Sequence, residues 1–297
     1  MKRKGLLFVS LVLFANLALF ADDTIHVEKN WKLTGFFQQT MNQVAFTNWA
    51  AGGENSFAST TQVRFDANYA KNLYAWENYA DLNYGIIKLA DNPLRKNIDK
   101  IDVFSKLGRS INKQLSYTAI VNFQSQFDKG FKYPNDSVVV SRFMAPGYLT
   151  TSLGIDYKPV NFLSIFFSPA TGKITFVLDD DLSAQGAYGV DPGKNLNPEF
   201  GALARIELNK EVVTNVNVNS RIILFNNYTD SDVSNRKNTD VDWLTQINMP
   251  INTFLTVTAG FHLLYDHDIK IEKEDGSVGP TTQMKQQFGI GFVYNIK

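Results

Sequence analysis

Apolar and polar side chains alternate with a two-residue period roughly a dozen times along this chain, with almost no sustained helical periodicity. Short and long connections between those segments also alternate. Together with an N-terminus built for export, these observations predict an all-β fold. It is a single-domain, antiparallel transmembrane β-barrel of the outer-membrane type, with about 12 strands.

The elements follow in chain order. Lys2, Arg3 and Lys4 precede an apolar run, Gly5–Phe20, and the small residue Ala21 stands before Asp22–Asp23. Residues 1–21 therefore read as a secretory signal peptide and residues 22–297 as the barrel domain. The run is short for a spanning helix, and Asn16 interrupts it. The chain has no cysteine, which excludes both disulfide staples and a lipoprotein anchor.

The first strand, Trp31–Phe46, loses its parity midway. In Phe57–Tyr69, Val63, Phe65 and Tyr69 oppose Gln62, Arg64 and Asp66; in the next segment Trp76, Leu82 and Tyr84 oppose Glu77, Asp81 and Asn83. Ile101–Ile111 is less regular. Leu115–Phe127 is the cleanest run, with Leu115, Tyr117, Val121 and Phe123 against Ser116, Thr118, Asn122 and Gln124. The pattern returns in Leu149–Tyr157, Phe200–Leu208, Val212–Leu224, Val241–Met249, Leu255–Tyr265 and Phe288–Ile296. In Phe162–Val177 the parity switches across "SPATG", which predicts a β-bulge at Pro169 or Gly172.

The short connections are "AKNL", "NKQ", "KPVN", "NKE" and "PINT"; the long ones are 47–56, 88–100, 128–147, 178–199, 227–238 and 267–280. Short periplasmic turns, long external loops and an even strand number are the layout of an outer-membrane barrel. The apolar face then meets lipid. Tyr69, Trp76, Tyr117, Tyr157 and Tyr294 fall near turn ends, where an interfacial aromatic girdle belongs. The chain ends "GFVYNIK", with Tyr294 three residues before Lys297, whereas many barrels finish on an aromatic residue.

Charge argues against some partners. Lys plus Arg and Asp plus Glu number 29 each, so no overall field attracts nucleic acid. The expected partner is the outer-membrane bilayer, with small solutes or other envelope proteins as further candidates.

Three stretches, "NWAAGGENS" at Asn48–Ser56, "SPATGKITFV" at Ser168–Val177 and "GVDPGKN" at Gly189–Asn195, resemble an outer-membrane β-barrel family of the Bacteroidetes labelled as a domain of unknown function. The resemblance implies a barrel in the outer membrane of a diderm bacterium. It carries over no catalytic residues.

The candidate functional residues lie on the polar face. Arg64, Asp66, Glu77, Asp81, Lys106, Asp156, Arg205, Glu207, Arg221, Asp242 and His262 are expected to face the lumen, with Asp102, Lys158, Lys173 and Asp266 among their neighbours. Such charges either select ions in a passage or cross-link the walls of a solid barrel. Twelve strands about 4.8 Å apart, tilted about 40°, give a radius of about 12 Å, which leaves both outcomes open. In the first external connection, Trp49, Gly52, Gly53 and Glu54 form a second candidate motif. A phosphate loop would need a Lys-Ser/Thr pair and a following helix, so the glycines read as a turn requiring positive φ.

Asp266-His267-Asp268 sits at the external rim, where a barrel protease would carry an acid–His pair, but has no companion acidic pair. Asp179–Asp181 lacks the spacing of a calcium loop and reads as a solvated acidic loop. No catalytic set, metal site or cofactor is expected. The function classes are a narrow pore or solute channel, a non-conducting barrel acting as anchor or scaffold, and, third, a barrel enzyme.

Overall fold

The computed structural model describes residues 30–46, 53–133, 135–273 and 276–296; the expected signal peptide lies outside them. Its barrel strands are β1 (Trp31–Val44), β2 (Ser56–Lys71), β3 (Tyr74–Leu89), β4 (Arg95–Ser110) and β5 (Leu115–Ser125). A loop hairpin, β6 (Gly130–Phe131) and β7 (Val139–Ser141), precedes β8 (Gly147–Val160), β9 (Leu163–Phe176), β10 (Leu196–Val213) and β11 (Val216–Asn227). Then come β12 (Asp240–Pro250), β13 (Leu255–Tyr265), a second loop hairpin of β14 (Ile271–Glu272) and β15 (Val278–Gly279), and β16 (Gln283–Ile296).

Twelve of these close a ring in the order β1-β16-β13-β12-β11-β10-β9-β8-β5-β4-β3-β2, every neighbour antiparallel. Closure gives each strand a partner on both sides, which a medium without water demands. Alternation decides what faces out. On β5 Tyr117 is 60% exposed and Ile120, three residues on, only 4%. Phe65, Leu107, Leu153, Phe167, Phe288 and Phe292 add to the apolar exterior. Trp31, Tyr69 and Trp76 pack together at the end bearing the short turns. Among the described residues no helix is long and apolar enough to cross a membrane.

Three local expectations are corrected. The second connection is five residues, 90–94, because β4 starts at Arg95 and pairs with Ile86 and Ile87 across a bulge at Asn97. Alternation fades there, yet the backbone ladder needs no apolar face once the strand stands in water. For the same reason β10 runs past "NKE" to Val213, and the turn is Thr214–Asn215, with Asn215 at φ 62°. On β1 the register against β2 is unbroken from Trp31 to Val44; the apparent loss of parity is Phe36, an apolar side chain opposite Arg64.

The bulge expected in β9 is present. Gly201 faces Thr171 while Leu203 faces Ser168, so Pro169 and Ala170 stand against one residue, and proline has no N–H to withhold from a ladder. The loop between β9 and β10 carries the helix Asp180–Ala184 and packs Leu182 and Val190 on Ala145 and Val177. Asp179 caps that helix and pairs with Arg142 at 2.8 Å, so it is a fixed buried group and not a solvated loop acid.

Candidate lumenal site

Directly opposed residues on antiparallel strands share a face, so the register carries the inward set around the ring. Arg221 on β11 lies opposite Glu207 on β10 and six seams from β3, on the far side of the barrel. Its guanidinium reaches across the lumen to the Tyr79 hydroxyl, 3.0 Å, and the Asp102 carboxylate, 3.6 Å. Asp102 also accepts from Asn122 at 2.7 Å and pairs with Lys100 at 2.8 Å.

The other expected residues fall into small networks. Lys106 meets Asp156 at 2.9 Å and donates to Ser164, and Lys158 meets Glu77 at 2.7 Å. Arg205 pairs with Glu207 at 2.6 Å with its guanidinium 4.1 Å from the Phe104 ring centroid. Arg64 pairs with Asp66 at 2.8 Å and covers Tyr79, which stacks on Phe104. Asp81 accepts from Gln62 and Asn83. His262 Nε2 lies 2.9 Å from Asp242. Near the mouth at the long-loop end Lys173 is held by Glu199, Asp240 and Asp266. Asp268, in the loop beyond β13, is held above the usual carboxylate range first by burial and then by Asp266 and Asp240.

The lumen is not lined by polar groups alone. Phe104, Ile120, Phe166, Leu203 and Phe225 form a buried apolar cluster on the wall from β4 to β11, with Tyr79 and Ile223 against it. The polar-face reading missed these residues. Their signal was the irregularity of Ile101–Ile111, where Phe104 sits between Asp102 and Lys106. A cavity of about 630 Å³ occupies the side nearer the long loops, with Asp240, Tyr265 and Asp266 at its mouth and Arg221, Asp242, His262 and Lys285 deeper in its lining.

The loop candidates separate. Trp49 and Gly52 lie outside the described residues; Glu54 is exposed. Gly53 has φ 141°, and a Cβ there would lie 2.5 Å from the Phe46 ring, so only glycine suits this turn. At the rim the His267 ring meets the Tyr265 hydroxyl at 3.4 Å, and Asp266 is engaged by Lys173, so the trio does not build an acid–His pair. Among the described residues no group of three or more His, Cys, Asp or Glu side chains is placed to hold a metal ion.

Comparison with solved structures finds barrels at low identity. The COG4313 outer membrane channel from Pseudomonas putida F1 is 8% identical, covers 93% of this chain and 100% of its own, and has a TM-score of 0.42. For the NanC porin the figures are 8%, 87%, 98% and 0.40. For the translocator domain of autotransporter NalP from Neisseria meningitidis they are 8%, 96%, 95% and 0.36. A search of curated protein sequences finds no match. Residues 41–131 match the model of a family described as a protein of unknown function, DUF3078.

Proposed function

We propose that this chain is exported by its N-terminal signal peptide and inserts in the outer membrane of a diderm bacterium. There it works as a narrow solute channel that is shut at rest. The carrying observation is the Arg221 side chain spanning the lumen to Tyr79 and Asp102. Beside this bar the apolar cluster fills one wall, while a chamber lined by residues from β2 round to β16 lies on the side of the long loops. A polar solute entering from outside meets matched charges and stops at the bar. In this reading, moving the Arg221 guanidinium lets the solute pass.

Single-channel recording in planar bilayers tests this. Wild-type protein should show rare, small openings. Arg221→Glu removes the bar and makes the lumen more negative, so openings should become frequent and cation-selective, because wall charge sets local ion concentration in a narrow pore. A large steady wild-type conductance sinks the closed state. A silent Arg221→Glu variant favours the non-conducting scaffold instead.

A further inference from the structure

The barrel closes through its weakest seam. Eleven of the twelve neighbouring strand pairs match nine or more residues in register; β1 and β16 match seven, Gly35–Met41 against Ile290–Ile296. Toward the external side both strands continue, but apart. Asn42–Val44 stay paired with β2, and Gln283–Gly289 stay paired with β13. Among the described residues no strand pairs with the β1-facing edge of Gln283–Gly289. Backbone groups on such an edge are costly against hydrocarbon, so a barrel keeps the gap only where polar atoms reach it.

The residues around the gap have two characters. Met284 and Phe288 point outward and are 64% and 70% exposed. Lys285 and Gln287 have the opposite parity, line the chamber, and are nevertheless exposed. Among the described residues this edge therefore lies between the apolar exterior and the chamber. Inside it, Lys285 stands apart from Lys106, Lys158, Lys173, Arg205 and Arg221: among the described residues no carboxylate lies within ion-pair distance of it. Opposite it the register sets His262 on β13, Leu244 on β12 and Arg221 on β11, and the next inward row runs Leu264, Asp242 and Ile223, so Leu264, Leu244 and Ile223 form a diagonal apolar path between the polar groups. A cation with no carboxylate within ion-pair distance, beside a diagonal apolar path in a chamber of about 630 Å³, fits a molecule with an acidic end and an apolar body.

We propose that the β1–β16 gap is a lateral door through which a long-chain carboxylic acid passes between the outer leaflet and the chamber. Its carboxylate sits on Lys285 and its chain lies along Leu264, Leu244 and Ile223. This deepens the channel reading by naming a substrate class for the same chamber, and it rests on that reading only in taking the chamber as the solute site.

The test uses pyrene-labelled dodecanoic acid added to full-length protein in phosphatidylcholine nanodiscs. Lys285→Gln should weaken binding about tenfold or more, the scale of a lost hydrogen bond between charged groups, and Lys285→Arg should restore it. For the door, Gln43→Cys/Phe288→Cys places thiols where the register would continue beyond Met41 and Ile290. The chain has no other cysteine, so a short bis-maleimide joins only these two. The cross-linked form should load the probe at least tenfold more slowly than the same variant left unlinked. Unchanged binding in Lys285→Gln, or unchanged loading in the cross-linked form, overturns the proposal. Conductance of the same preparations keeps the two readings apart: Arg221→Glu opening with no effect at Lys285 or the seam leaves a channel without a lateral door. A silent Arg221→Glu with both binding effects present leaves a lateral lipid site without a channel.

Discussion

At Lys106 the ammonium lies 2.9 Å from Asp156 and 3.0 Å from the Ser164 hydroxyl, which in turn donates to Asp156 at 2.6 Å. Both charged side chains are 4% exposed, so neither can turn to water if its partner is lost. Asp156→Ala should therefore lower the unfolding free energy by about 3–5 kcal/mol, the cost of stranding a buried charge. Lys106→Met/Asp156→Leu, which removes both charges, should lose less than the single variant. Urea titration of detergent-solubilised protein, followed by tryptophan fluorescence, reads both. Asp191→Ala serves as the contrast: Lys194 and Asp191 pair at 2.8 Å but face solvent, so the midpoint should not move. The inward charges are distinguished less by sign than by whether their partner is on the same strand, as for Arg205 and Glu207, or across the lumen, as for Arg221 and Asp102.

At the scale of elements, the bulge in β9 shows why one strand broke the alternation. Two residues, Pro169 and Ala170, take the space of one, and the inward parity moves from Phe166 and Ser168 to Thr171 and Lys173. The neighbouring strand accommodates this at Gly154, where an added Cβ would lie 2.0 Å from the Phe167 carbonyl oxygen. Backbone cannot yield as a flexible side chain does. Gly154→Val should break the β8–β9 ladder locally, and the heat needed to convert the compact, unboiled gel band to the unfolded one should fall well below the wild-type value. The same change at Gly108, whose nearest neighbour would be the Thr118 hydroxyl at 3.5 Å, should be tolerated and leave that temperature close to wild type. Equal tolerance at both sites would remove the bulge from the account of β8 and β9.

For the whole molecule, the ring and its connections fix an orientation. The turns 72–73, 111–114, 161–162, 214–215 and 251–254 lie at one end, and the loops carrying the two small hairpins and the helix Asp180–Ala184 lie at the other. If the loop end faces outward, Asn135→Cys and Ser231→Cys should react with an impermeant maleimide on whole cells. Lys113→Cys should react only after lysis. All three sites are exposed, and the absence of native cysteine makes each signal unambiguous. The reverse pattern would invert the topology and place the chamber mouth in the periplasm.

By itself the sequence determined the fold class, the strand number, the order of short and long connections except at 90–94, and the bulge near Pro169. Each of these is written in local periodicity, since a strand wetted on one face and apolar on the other must alternate. It also grouped Arg64, Asp66, Glu77, Asp81, Lys106, Asp156, Arg205, Glu207, Arg221, Asp242 and His262 as the residues expected to face the lumen. It misplaced the ends of β4 and β10, because a ladder that continues into water no longer needs an apolar side. Only the tertiary structure decided which inward residues meet. Arg221 and Asp102 are far apart in the chain, and their contact depends on ring closure bringing β11 opposite β3 and β4. The same holds for the apolar cluster around Phe104 and for the short β1–β16 seam: both are set by curvature and register over the whole ring, to which no single strand's pattern is sensitive.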